Sequence, residues 1–177
     1  MFKSATASSS LVMQAVIIPG NKSSEGRLIQ AVALPWFAII KQLEADPSLA
    51  FKIPAQKWEE IIAGAYKKAG FDEVTLTPRS ADLGRDVIAV KHGLGSVRVI
   101  DQVKAYAPDH LVTANDVRAL MGVLQTDTAS KGFLTTTSNF APLLRKDPLI
   151  APFMPSRLEL IDGTQLMQRL TTIANSS

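Results

Sequence analysis

From Pro54 onward the apolar positions along the chain fall into clear periods. Trp58, Ile61, Ile62, Ala65, Tyr66 and Ala69 recur at helical spacing with Gly70 as a stop, which predicts a helix over 55–69. Glu73 to Thr77 alternates with β-branched residues and reads as a strand. Arg85 to Lys91 and Ser96 to Lys104 read as two more, joined by a tight loop through Gly93 and Gly95. A second helix is expected from Ala114 to Leu124, with Val117, Leu120, Met121 and Leu124 on one face. Gly132 to Thr136 is a fourth strand, followed by a short helix after Ser138. Leu158 to Ile161 is a fifth, and an amphipathic helix from Thr164 to Ile173 closes the chain. This order implies an α/β fold with a mixed central sheet of about five strands and helices on both faces.

The first fifty residues are less regular. Met1 to Ser10 is small and polar, Leu11 to Ile18 is apolar but interrupted by Gln14, and Asn21 to Glu25 reads as a loop. Leu28 to Ile40 is strongly apolar, bracketed by Arg27 and Lys41, and contains Pro35. It is too short to cross a bilayer and reads as a buried helix, or two joined at Pro35. The start lacks a small-residue cleavage site, so a signal peptide is not expected. Residues 1–50 are therefore expected to be a mostly helical extension packed on a core domain of residues 51–177. The segment around Trp36 and Phe37 serves either that packing or a homodimer contact.

Composition narrows the function. Hydrophobic content of 46% with 20% charged residues is that of a folded globular chain. With no cysteine, disulfides, cysteine nucleophiles and zinc–cysteine sites are excluded, and a cytoplasmic location without membrane partners is expected. A formal charge of +3 tolerates a phosphate backbone without demanding one.

The arrangement of a few polar residues says more. Alternation in the strand ending at Lys104 puts Gln102 and Lys104 on one face and Asp101 and Val103 on the other. Asp86 opens the preceding strand, so pairing through the Gly93/Gly95 loop brings a carboxylate, an amide oxygen and an ammonium to one sheet end. A hard divalent cation takes oxygen ligands, which Asp86 and Gln102 supply, and Lys104 offsets charge on a phosphate or steers a water. Glu59, at the edge of the apolar face of the 55–69 helix, is the candidate for a fourth group, while Glu60 falls on the polar side. Each residue also has a plain structural reading. Asp86 is a common turn residue, Lys104 a strand-end lysine, Gln102 a buried amide bonded to a loop, and Glu59 an ion-pair partner for Lys104.

Those residues sit in a longer match. Trp58-Glu59-Glu60-Ile61-Ile62, then Thr77-Pro78-Arg79-Ser80-Ala81-Asp82-Leu83-Gly84-Arg85-Asp86-Val87-Ile88-Ala89, then Gln102-Val103-Lys104, resemble the catalytic domain of Mrr-like (type IV) restriction endonucleases within the PD-(D/E)xK nucleases. The resemblance continues through Val117 to Gln125, Ala129 to Gly132, Thr135 to Thr137 and Ile161 to Gly163, roughly the last two thirds of the chain. It implies a restriction-endonuclease-like three-layer α/β/α core and Mg²⁺- or Mn²⁺-dependent cleavage of DNA. By the same resemblance Asp86 is the metal-binding aspartate, Gln102 and Lys104 the Q-x-K pair, and Glu59 the helix glutamate, so that Asp86, Gln102 and Glu59 form the ligand set. Leu83 stands where many members carry a small residue, and no segment matches the winged-helix recognition domain of full-length Mrr enzymes. Arg79, Ser80, Arg85, Thr137 and Ser138 are candidate phosphate contacts, with capping of the next helix an alternative role for Ser138. A branched-DNA (Holliday-junction) nuclease and a non-cleaving DNA-binding module are the competing functions.

Overall fold

The computed structural model describes residues 11–78 and 84–176. Among these, seven strands form one sheet in sequential order: β1 (Ile17–Lys22), β2 (Arg27–Val32), β3 (Glu73–Leu76), β4 (Val87–His92), β5 (Ser96–Lys104), β6 (Lys131–Thr136) and β7 (Leu158–Ile161). Neighbours from β1 to β5 are antiparallel, and β5, β6 and β7 are parallel. The helices are α1 (Leu34–Ala45), α2 (Ala55–Lys68), α3 (Ala114–Thr126) and α4 (Gly163–Ala174).

The expected mixed sheet is present, but with seven strands rather than five. Both additional strands come from the first fifty residues, where a mostly helical extension was expected. The apolar run Leu28 to Ile40 is split between β2 and α1, with Ala33 in an extended conformation between them. Pro35 does not break a helix; it lies in the first turn of α1, where its missing N–H would have had no partner anyway. A continuous apolar run has no period to separate a strand from a helix, and this one is half of each. The short helix expected after Ser138 is also displaced, since the helical turns in this region are 3₁₀ segments at Leu144–Lys146 and Ala151–Phe153. No helix among the described residues is long and apolar enough to cross a membrane.

Alternation along β4 and β5 separates two cores. Val87, Ala89 and Val99 pack with Trp36, Ile61, Ile62 and Leu166 from α1, α2 and α4. Ile88 and Ile100 point the other way, against Val117, Leu120 and Leu124 of α3. The layers are therefore α1, α2 and α4 on one face and α3, the crossover between parallel β5 and β6, on the other. Trp36 and Phe37 belong to this packing. Trp36 is fully buried, meets Phe37 edge-on at 5.0 Å and donates its indole N–H to the Ile61 carbonyl at 2.9 Å.

α1 approaches α2 at Gly64, where an added Cβ would stand 2.8 Å from the Trp36 indole ring. In an open helix, replacing glycine by alanine adds up to about 1 kcal/mol of stability. Gly122 in α3, with nothing within 4 Å of such a Cβ, should follow that rule. Gly64→Ala should instead cost about 1–3 kcal/mol through overpacking. Denaturant unfolding of the two variants should move their midpoints in opposite directions.

Candidate active site

β4 and β5 pair from His92↔Ser96 to Val87↔Asp101 and then part. If the antiparallel register continued, the N–H of Val103 would go to the Arg85 carbonyl. That carbonyl is instead taken by the Thr77 hydroxyl, and the Asp86 carboxylate accepts the Val103 N–H through Oδ2 at 2.6 Å. The Asp86 main chain stays anchored on both sides, donating N–H to the Asp101 carbonyl at 3.2 Å and accepting from Thr77 N at 3.2 Å. A side chain thus replaces a rung of the ladder at the point where the strands diverge, holding a 7%-exposed carboxylate at the sheet end.

The paired register stops at Val87↔Asp101, and the next residues on the two strands are Asp86 and Gln102; alternation from Ile100 sets Gln102 on one face. That face is the one on which Ile100 meets α3. Gly84, with φ of 79° in the left-handed region, threads the incoming chain between them; a Cβ there would lie 3.1 Å from Val123 and 3.7 Å from Gln102 Nε2. Among the described residues the buried Gln102 Oε1 atom has no hydrogen-bond partner. An amide oxygen and a carboxylate at one sheet end are donors suited to a hard divalent cation, so the residues present fit the ion that the sequence implies. Among the described residues no three of His, Cys, Asp or Glu gather as a metal cluster. Lys104, two residues on, is half-buried on the same face, and its strand end is pinned by Thr136, whose hydroxyl donates to the Lys104 carbonyl at 2.8 Å.

Glu59 is half-buried on α2, in the layer that covers the opposite face of the sheet. The N-terminal end of α2 nevertheless lies at this sheet end, because Gln56, Lys57 and Glu60 line a groove together with Leu76, Thr77 and Pro78. Glu60 is not simply solvated but pairs with Lys57 at 3.1 Å.

Of the candidate phosphate contacts, Arg79 and Ser80 lie outside the described residues. Arg85 is committed to an ion pair with Asp127 at 2.8 Å. The hydroxyl groups of Thr137 and Ser138 are buried and donate to the carbonyls of Tyr106 and His110, each at 2.7 Å, so Ser138 does not cap a helix. Lys67 and Lys68 reach the Asp72 and Ser176 carbonyls at the far end of α2. His92 contacts Ser96, and His110 stacks on Tyr106 at 3.8 Å.

Two features beside the site were not anticipated. Asp101, facing α2, is 3% exposed and accepts a 2.7 Å hydrogen bond from the Tyr66 hydroxyl. Burial lifts its carboxyl to about 7 despite that bond, and the nearby negative charge of Asp86 adds to the rise. On the other face, Arg98 forks between Glu25, at 2.9 and 2.7 Å, and Asp127, at 2.9 and 3.0 Å. Hydrogen bonds from Arg98 and then Arg85 outweigh burial and pull the Asp127 carboxyl down to about 2. An alternating charge pattern on β5 gave no hint of this network, because its partners lie 29 and 73 residues away.

Glu59, Asp86, Gln102 and Lys104 fall within a segment, 51–170, that matches the family model Mrr_cat, described as restriction endonuclease. The chain belongs to that restriction endonuclease family. No curated protein matches it. Among solved structures, it is similar to the MspJI restriction endonuclease in complex with a 27-mer oligonucleotide, at 21% identity and a TM-score of 0.46, over 79% of this chain and 31% of the other. It is also similar to the DNA modification-dependent restriction endonuclease AspBHI, at 16% identity and a TM-score of 0.47, over 90% of this chain and 39% of the other. The chain thus spans between three and four tenths of the length of these relatives.

Arg98→Met leaves Asp127 and the partly exposed Glu25 with Arg85 as their remaining guanidinium, and should cost about 1–2 kcal/mol at neutral pH. Asp127 has a folded value of about 2, below the roughly 3.9 of an unfolded aspartate. Its stabilisation is therefore complete above about pH 4–5 and fades as pH falls through about 2. Denaturant unfolding at about pH 7, 4 and 2 should show a steep acid loss in the parent chain and a shallower one in the variant.

Proposed function

We propose that the chain is a divalent-cation-dependent DNA endonuclease acting in restriction of foreign DNA. The observation that supports this reading best is the Asp86 carboxylate held where β4 and β5 part, at the sheet end where β5 also carries Gln102, with its buried Oε1, and Lys104. Membership of a restriction endonuclease family supplies the reaction class.

Asp86 and Gln102 would hold Mg²⁺ or Mn²⁺, with Glu59 the further carboxylate candidate from α2. Such an ion, when bound, polarises a phosphate and acidifies a coordinated water. Gln102 contributes an oxygen without a charge, so the site binds its cation with less negative charge than a three-carboxylate site. Lys104 stands beside the scissile phosphate, where its ammonium offsets charge accumulating on the phosphate oxygens and orients the attacking water. The Val103 N–H fixes the orientation of the Asp86 carboxylate before any ion arrives.

The test is incubation of the purified chain with supercoiled plasmid and with a branched DNA, in Mg²⁺, Mn²⁺ or EDTA. Cleavage should need the metal and fall by about a hundredfold or more in Asp86→Ala, Gln102→Ala and Lys104→Ala. Cutting that persists in EDTA or in Asp86→Ala would sink the assignment. Preference for the branched substrate would favour junction processing over restriction, and folded protein that binds DNA without cutting it would favour a non-cleaving module.

A further inference from the structure

We propose that the β1–β2 hairpin, which lies before the family-matched segment, is a clamp for the DNA phosphate backbone, gripping it through Lys22 and Arg27. The inference rests on the nuclease reading above and adds a second contact surface to it.

Position comes first. Lys22 and Arg27 are paired across the mouth of the hairpin, and Arg27 is opposite Leu76 of β3, which is in turn opposite Val87 of β4. Two strand spacings, about 10 Å, therefore separate Arg27 from the start of β4, next to Asp86. The two basic residues line a groove of about 720 Å³ whose walls include Lys57 of α2 and the Leu76–Pro78 end of β3. Duplex DNA carries a charge about every 1.7 Å of its axis, so a duplex lying along this sheet end with one phosphate at Asp86 would carry others within reach of the groove.

Charge comes second. The bases nearer the site, Arg85 and Arg98, are neutralised by Asp127 and Glu25. Among the described residues Lys22 and Arg27 have no carboxylate partner; the Arg27 guanidinium makes a 3.4 Å contact to the Gly20 carbonyl, and both side chains are exposed. The groove contains one carboxylate among the described residues, Glu60, and it is paired with Lys57. The groove is net positive.

Rigidity comes third. The tip of the hairpin is tied down by the two-pronged Glu25–Arg98 bond, and Gly26 lies so close to the Leu76 carbonyl that a Cβ would fall 2.1 Å from it. The backbone beneath both cations is thus set in advance, which lowers the ordering cost of binding. Two flexible cations read charge and not base edges, so the clamp positions DNA without selecting its sequence.

The experiment measures binding of the full chain to short duplexes by fluorescence anisotropy over a range of salt, with Ca²⁺ in place of Mg²⁺. Lys22→Gln/Arg27→Gln should weaken binding about tenfold at low salt and lower the slope of log K against log salt by about 2. The loss should be the same for unrelated sequences. Arg27→Lys, which keeps the charge, should retain the parent slope. Lys41→Gln/Lys52→Gln, outside the groove, should change neither quantity. Parent-like affinity and slope in the Lys22/Arg27 variant, while the parent chain binds and cuts DNA, would overturn the clamp and leave the nuclease reading intact. A parent chain that neither binds nor cuts DNA would overturn both.

Discussion

The hydrogen bond from the Val103 N–H to the Asp86 carboxylate decides how the sheet ends. Without it the β4–β5 ladder has one more main-chain rung to make, using the Arg85 carbonyl. With it, that carbonyl turns to Thr77, the strands separate, and a buried negative charge is left at the fork. One group thus terminates a hairpin and supplies the candidate ligand. Its environment is set by a strand pairing that extends back to the Gly93–Gly95 turn, so the geometry of the site is inherited from the register of the whole hairpin.

Much of this was legible in the sequence because it depends on parity. Period-two alternation put Gln102 and Lys104 on one face, and the short turn through Gly93 and Gly95 fixed the β4–β5 register that runs as far as Val87 and Asp101. Segments with a clean period, 55–69 and 114–124, became helices close to their expected bounds. The first fifty residues failed for a physical reason. In Leu28 to Ile40 the residues other than Gln30 and Pro35 suit a buried strand as well as a buried helix, and the decision lies with partners elsewhere: Leu76 and Thr75 for the strand half, Ile61 and Gly64 for the helical half.

The charged residues divide similarly. Arg85 beside a candidate catalytic aspartate suggests a phosphate ligand, yet its partner is an aspartate 42 residues further on. Arg98 and Asp101 look like ordinary strand charges, but one organises a four-membered ion network and the other is buried against Tyr66. Sequence spacing within a strand reports which way a side chain points and carries no information on what awaits it there. The placement of Asp101 matters to its neighbour. A carboxyl near neutrality on one face of β5 adds less charge repulsion to Asp86 on the other than a fully ionised acid would.

The outermost strand of the sheet is irregular. The pairing of β1 with β2 slips twice, around Pro19 and again before Lys22, and Pro19 withholds a donor from the strand. Its far margin is therefore a poor template for a strand from another molecule. At the opposite margin β7 is only four residues long. Sheets with long straight margins are prone to edge-on stacking into aggregates; in this one the seven strands are bounded on both sides by segments too bent or too short to propagate.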